Sequence, residues 1–283
     1  MFELRHSDRS FVSVDFVEGS SGSVYWALLR SDVHHDHVDC DQELERKHLD
    51  QAKERGAVIV DNGDLFCAMQ GKFDRRSDKS CIREEYKHGD YLDRLVTVAA
   101  DFYGPYAKNF AVISMGNHER SIRDRHETDL TDRLVQLLNS RHGSNIQSGG
   151  YSGYVRFSFR RKNHRMSRLL KRYHGTGGGG PVTRGVIQTN RMAVIYPDAD
   201  FVLSGHTHDE WVVPIQRERV TGRGRVVCRP QIHIRVPGYK DAWKDGTSGW
   251  EVERMLGPKP IGAKWLRFEL TADDVICEVL DAK

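Results

Sequence analysis

The sequence predicts a layered α/β protein, on three observations. Short apolar runs recur at Val24–Leu29, Ala57–Val60, Phe110–Ser114 and Phe201–Ser204, each reading as a buried strand. Segments of helical period lie between the early runs. The final third turns to strand at Val226–Val236, Lys264–Leu270 and Val275–Leu280. Strands alternating with helices imply helices layered on a sheet.

Each element has its own warrant. Asp41–Arg55 is helical in pattern and meets Gly56, a natural stop. Asp90–Phe102 carries Leu92, Leu95, Val96 and Ala99 at helical spacing and halts at Gly104-Pro105. Asp129–Asn139 sets Leu130, Leu134, Leu137 and Leu138 on one stripe, with acids in its first turn. Tyr154–Arg160 alternates, with Val155, Phe157 and Phe159 on one face and Arg156, Ser158 and Arg160 on the other. Met166–His174 can return as its partner, making a basic hairpin, read as an insertion, over about 151–174. There is no internal repeat and no linker of disordered composition, so residues 1–283 read as a single mixed domain.

Composition narrows the function classes. At 283 residues, 29% charged and 38% apolar, the chain can bury a substantial core. No apolar stretch approaches the ~18 residues of a membrane span, and the start, MFELRHSDRS, lacks the apolar centre of a secretory signal. Five scattered cysteines, none spaced as CxxC, argue against a disulfide framework or zinc ribbon and for a reducing, cytoplasmic setting. The net charge of +3 hides an asymmetry. Between Arg133 and Pro197 there are twelve Lys and Arg and no acid, so the rest of the chain holds 31 bases against 40 acids. Such a run is either a solvated basic face or a contact for something anionic.

The segments just after the apolar runs are more specific. The first run leads into Asp32-Val-His34, the second into Gly63-Asp64, the third into Gly116-Asn117-His118-Glu119 and the last into Gly205-His206-Thr-His208. In layered α/β folds, loops at the carboxyl ends of strands converge on the ligand crevice. Imidazoles and carboxylates gathered there suit Mn, Fe, Zn or Ni without any thiolate. Each motif alone is weak; four in this order, each after an apolar run, form a candidate metal constellation.

The set DVH, GD, GNHE and GHTH resembles the calcineurin-like metallophosphoesterases, over roughly residues 24–210. The resemblance implies an αββα sandwich of two mixed sheets flanked by helices, with two divalent metal ions, most readily Mn2+, above the strand ends. Asp32, His34 and His208 would hold one ion, Asn117, His206 and a further histidine the other, and Asp64 would bridge them. Of His126, His142, His164 and His174, only His174 ends a predicted strand and precedes glycine, so it takes that place. Two such ions, about 3.5–4 Å apart, polarise phosphoryl oxygens and activate a bridging water as hydroxide. Asp64 and His118 would then be catalytic, with Asn117 and His118 contacting the phosphate and His118 able to protonate the leaving oxygen. Glu119 would orient its neighbours, and His35, Asp36 and His37 would support or lie at the surface.

Several features bear on substrate. Protein phosphatases of this superfamily carry an acid three residues beyond the bridging Asp, where this chain has Cys67, which weighs against phosphoprotein hydrolysis. Arg168, Lys171 and Arg172, on the strand expected to deliver His174, could track a nucleic-acid backbone. Arg217, Arg219, Arg223 and Arg225 add to this. The expected function is therefore a phosphodiesterase or nuclease on DNA or RNA. The alternatives are a hydrolase of nucleotides or other small phosphate esters, and a non-catalytic nucleic-acid-binding module. Gly175-Thr-Gly177-Gly-Gly-Gly180, opening a helix near Pro181, matches a dinucleotide fingerprint, but Asp198 and Asp200 precede their strand where an acid should end it. The Gly- and Trp-rich loop at about 237–263 reads as ordered, near the site or at a subunit contact, and resembles the tails of phage-borne members, which would place the protein in a bacterial host cytoplasm.

Overall fold

A computed structural model describes residues 1–283 apart from 7, 69–78, 179, 181, 222, 223, 245, 248, 249, 254 and 256. The strands are β1 (Phe2–His6), β2 (Phe11–Phe16), β3 (Val24–Arg30), β4 (Val58–Asp61), β5 (Phe110–Ile113), β6 (Gln147–Ser148), β7 (Ser152–Arg161), β8 (His164–Tyr173), β9 (Phe201–Ser204), β10 (Trp211–Val220), β11 (Val226–Arg235), β12 (Lys264–Leu270) and β13 (Val275–Asp281). The helices are α1 (Gln42–Glu54), α2 (Tyr91–Tyr103), α3 (Asn117–His126), α4 (Leu130–His142), α5 (Gln188–Ile195) and the single turn α6 (Trp250–Glu253). None of the helices described is long and apolar enough to cross a membrane.

Two mixed sheets form the body. One has the order β13-β12-β3-β4-β5-β6, the other β1-β2-β7-β8-β9-β11-β10. In the first, β3 to β6 are parallel and β12 runs antiparallel to β3; in the second, β8 and β9 are parallel. The carboxyl ends of β3, β4 and β5 thus lie together, and those of β8 and β9 lie side by side.

The period of two along each strand sets the layers. Ala27, Leu29, Val58, Val60 and Val112 of one sheet meet Val155, Phe157, Phe159, Phe201 and Leu203 of the other in a shared core. From the opposite face, Leu28, Ile59, Phe110 and Ile113 pack against Leu49 and Ala52 of α1, Leu95 and Ala99 of α2, and Leu134 and Leu138 of α4. Burial on both faces explains why these strands read as unbroken apolar runs. Asp41 and Asp129 begin α1 and α4 by accepting the amides of Leu44 and Asp132, leaving a stabilising anion at each N-terminus.

The outer face of the seven-stranded sheet is covered less completely, by the short α5 through Met192, with Tyr173 and Tyr196 packed around Ala199 and Val202. The structure corrects the sequence-based expectation in three places. The basic hairpin is no insertion: β7 and β8 pair with β2 and β9 in the middle of their sheet. The helix expected near Pro181, itself outside the described residues, starts only at Gln188. β1, β2, β10 and α3 are additions that the sequence pattern does not predict.

Candidate metal centre

The four motifs converge. β3 and β4 continue past their ends as hydrogen-bonded neighbours, with Asp32 N donating to Gly63 O (2.9 Å) and His34 N to Asp64 O (3.0 Å). Beside them Gly116 comes so close that a Cβ there would overlap the Asp64 carboxylate, which only glycine permits. From the second sheet, His206 N donates to Asp32 Oδ2 (2.8 Å), tying the late loop to the first. Of the seven residues expected to hold metal, five sit in left-handed backbone: Asp32 (φ 53°), His34 (52°), Asp64 (54°), His206 (73°) and His208 (54°). For non-glycine residues this conformation costs about 1 kcal/mol or more each and collects at functional sites.

The donors form two groups of three. The ligand atoms of Asp32, His34 and His208 lie within 4.8 Å of one another, as do those of Asp64, His174 and His206. In the first group, His34 and His208 present Nε2 to Nε2 at 3.3 Å, with Asp32 Oδ1 3.7 Å from His208 Nε2. In the second, His174 donates Nδ1–H to the Asn62 carbonyl (3.0 Å), which turns its Nε2 toward Asp64 Oδ2 (3.2 Å). Asn117 Oδ1 completes this group, 3.1 Å from His174 Nε2 and 2.7 Å from His206 Nδ1. The whole set expected from the sequence is therefore assembled, including His174 over its three competitors.

A divalent cation fits these residues. Asp32 Oδ1 is fully buried with no hydrogen-bond donor among the described residues, a costly state that a cation relieves. Two facing imidazole nitrogens beside a carboxylate oxygen are the nitrogen and oxygen donors that Mn, Fe, Zn or Ni accept. The two groups differ in their electrostatics. Burial alone would strip the His174 imidazolium of its proton, yet Asp64 and Asp32 overcome it and hold its pKa up at about 10. Burial opposes ionisation of Asp64 too, but the surrounding histidines hold its carboxyl well below the usual range. His34 and His208 are pushed down by burial, toward the neutral form that ligates metal.

Supporting residues hold this arrangement. Glu119 accepts the amides of Asp64 (3.2 Å), Phe66 (2.8 Å) and Gly116 (2.8 Å), and so orients two motifs at once. Burial and the nearby Asp64 carboxylate push its own pKa up to about 8. His118 donates Nδ1–H to Cys67 O (2.5 Å), leaving Nε2 3.8 Å from Asp64 Oδ2. Asp36 accepts the amides of Cys67 and Ala68 and the Tyr91 hydroxyl. His37 accepts the Asp39 amide (3.1 Å). His35 donates to Glu45 (2.8 Å), part of a fully buried network that the sequence does not reveal. There Arg30 bridges Asp61 (2.8 Å) and Glu45 (2.9 Å), and Tyr103 donates to Glu45 (2.5 Å). It fastens α1 to the ends of β3 and β4, with Arg30 two residues before Asp32 and Asp61 three before Asp64.

The three hairpin cations are not brought to the cluster. Arg172 is fully buried and donates to the carbonyls of Gly150 and Arg9. Lys171 lies between the rings of Tyr154 (4.3 Å) and Tyr196 (4.5 Å). Arg168 pairs with Asp274 at 2.5 Å. Distance removes Arg168, which at about 3.3 Å per residue stands roughly 20 Å from His174, whereas Lys171 and Arg172 lie near it in the chain and are held by the rings and carbonyls they meet. Arg217 and Arg219 donate to the Pro197 carbonyl, and Arg223 lies outside the described residues.

No family profile and no curated protein matches the chain. Among solved structures it is similar to Vacuolar Protein Sorting 29 from Cryptosporidium parvum, at 11% identity over 93% of this chain and 100% of that one, with a TM-score of 0.37. It is similar also to GAP50, the anchor in the inner membrane complex of Plasmodium, at 12% identity over 92% and 85% of the two chains, TM-score 0.49. A predicted phosphoesterase from Streptococcus pneumoniae matches at 10% identity over 92% and 99%, TM-score 0.30. At these identities no residue role passes from them to this chain. Two mixed sheets flanked by helices, with donor motifs at the strand ends, are the architecture that the resemblance of the motifs to the calcineurin-like metallophosphoesterases implies.

Proposed function

We propose that the protein is a metal-dependent phosphoric ester hydrolase. Asp32, His34 and His208 hold one divalent ion, Asn117, His174 and His206 hold the other, and Asp64 lies between. The reading rests on one observation: two contiguous Asp/His triads, each with two buried members and one half-buried histidine, in which every residue but His174 is held in left-handed backbone. When bound, such ions neutralise phosphoryl charge and acidify a water nucleophile. Manganese is the first candidate, with Fe, Zn and Ni behind it.

The chain's own residues supply the rest. The Nδ1–H bond of His174 to Asn62 O selects the tautomer whose Nε2 lone pair faces the centre. The bond of His118 Nδ1–H to Cys67 O aims Nε2 at the rim, where the doubly protonated ring would give its Nε2 proton to the leaving oxygen. Glu119 keeps Asp64 and Asn117 in register through the backbone.

Within this class a nucleic-acid phosphodiester is the finer reading. Its support lies away from the centre, on the outer face of the seven-stranded sheet. A cleft of about 550 Å³ is lined there by Arg5, Arg156, Arg165, Arg168, Arg219 and Arg229 together with Asp15, Asp198 and Asp200, and of these arginines Arg156 and Arg165 make no ion pair among the described residues. A polymer spanning roughly 20 Å would touch both cleft and centre, which a small ester cannot. The test is manganese-dependent hydrolysis of bis(p-nitrophenyl) phosphate and of end-labelled single-stranded DNA and RNA. Turnover of the diester that Asp64→Asn abolishes is expected, and a wild-type chain that binds manganese without turning over any ester would leave a binding module instead. Reversing Arg156 and Arg165 to Glu should weaken polymer binding and flatten its salt dependence; an unchanged slope would return the substrate to small esters.

A further inference from the structure

A third group of metal-type donors sits on the edge of the centre, and unlike the two triads it contains a thiol. The ligand atoms of His34, Cys67 and His118 lie within 4.8 Å of one another. Cys67 comes three residues after Asp64, and the turn that carries it is clamped. Its amide donates to Asp36 Oδ1 (2.5 Å) and that of Ala68 to Asp36 Oδ2 (3.0 Å), while the Tyr91 hydroxyl holds the same carboxylate at 2.6 Å.

Both histidines have a nitrogen to offer. His118 gives Nδ1–H to Cys67 O (2.5 Å), so its neutral ring keeps a lone pair on Nε2. His34 turns Nε2 toward His208 Nε2 at 3.3 Å, and its Nδ1 is buried with no hydrogen-bond partner among the described residues. The His34 and His118 rings meet edge to face, their centroids 4.8 Å apart. Cys67 and His34 are buried, whereas His118 is half-buried and opens the group to the rim.

The donor chemistry separates this group from its neighbours. The triads offer carboxylate and imidazole; here there is sulfur and no carboxylate. Thiolate favours zinc over manganese, and one thiolate with two imidazoles is a three-point zinc set with a fourth position open. Binding would release the Cys67 thiol proton to solvent. The other thiol-containing group, His35, Cys40 and Glu45, is no equivalent, because the Arg30 guanidinium already stands 2.9 Å from Glu45.

We infer that His34, Cys67 and His118 form an inhibitory zinc site. Zinc there takes the His118 nitrogen that would otherwise carry a proton to the leaving oxygen. It also draws on His34, which the first triad needs, so the two positions do not fill independently. The inhibition rests on the hydrolase reading above; the binding of zinc does not.

The test uses the full chain and two readouts. Loaded with excess cobalt as a stand-in for zinc, wild type should show thiolate-to-cobalt charge-transfer absorption in the near ultraviolet, which the oxygen and nitrogen donors of the triads cannot give. Cys67→Ser and Cys67→Ala should both lose it. In the manganese-loaded chain, zinc at about ten times its Kd for the site should cut hydrolysis of bis(p-nitrophenyl) phosphate about tenfold. Each Cys67 variant, measured against its own zinc-free rate, should resist the same zinc. Cobalt uptake without the absorption in wild type, or absorption that survives in both variants, would overturn the site. Equal inhibition of wild type and variants would mean that zinc acts at the triads, and would overturn the inhibitory role. A chain with the Cys67-dependent absorption but no turnover would overturn the hydrolase reading and leave the zinc site standing.

Discussion

Replacing Arg30 with Met should expose what the buried network contributes. Arg30 is completely excluded from solvent, as are Glu45 and Asp61, which it pairs at 2.9 and 2.8 Å. Removing the guanidinium leaves two carboxylates in a dry interior with only His35, Tyr103 and backbone amides for company. Breaking a buried pair from one side costs about 3–5 kcal/mol, and here one cation serves two anions. For a chain of this size that corresponds to a fall of about 10 °C in thermal midpoint. The pH dependence makes the prediction specific. Although burial opposes its ionisation, His35 and Arg30 hold Glu45 at a pKa of about 2 in the native protein. Without Arg30, burial raises the folded-state pKa of both carboxyls above their unfolded values. The penalty is then fully present above those raised pKa values and lessens as pH falls toward the unfolded ones, near 4. Urea midpoints of wild type and Arg30→Met at pH 8 and pH 5.5 measure this, with a smaller gap expected at pH 5.5. A deficit below about 1 kcal/mol, or one that does not change with pH, would refute the reasoning.

The geometry yields three further outcomes. His48 is fully buried and pushed down to about 4 by burial, helped by Lys47 and Arg30; wild-type stability should hold above pH 6.5 and fall between 6.5 and 4, by up to about 3 kcal/mol from this residue, and His48→Phe should flatten the slope in a pH series of melts. Gly116→Ala would drive a methyl into the Asp64 carboxylate and amide, so manganese affinity measured by calorimetry should drop more than tenfold, and an unaltered affinity would contradict the packing described. Chelation of the loaded protein should lower its melting temperature by several degrees, as expected when a ligand at about 100 times its Kd contributes ~2.7 kcal/mol; identical melts with and without chelator would argue that the centre holds no metal.

The parts of the fold written in local pattern are legible in the sequence, and those created by tertiary contact are not. Unbroken apolar runs such as Val58–Val60 reflect burial on both faces, so the central strands stand out, and the motifs after them locate the donors. β10 does not stand out, because its alternation of apolar and polar residues is broken by Pro214 and dense in charge. α3 begins on Asn117 itself and buries little beyond Glu119 and Ile122, so it has no apolar stripe to detect. The hairpin is legible in its inward face, where Val155, Phe157 and Phe159 are buried. The fate of its cations is not, because it is set by the carbonyls, rings and carboxylate that folding brings to Arg172, Lys171 and Arg168. Arg30 ends a strand like any surface arginine, and only the arrival of Glu45 and Asp61 makes it a buried hub. The contact of Gly238 and Tyr239 with Asp32 is invisible for the same reason: they lie more than two hundred residues from it in the chain and meet it only once the late loop folds over.

The most direct test of the two-metal reading is an anomalous difference map from crystals of the full chain grown with manganese. Two peaks are expected, one among Asp32, His34 and His208 and one among Asn117, His174 and His206, with Asp64 touching both. A single peak, or density displaced to the neighbouring group of His35, Cys40 and Glu45, would contradict it.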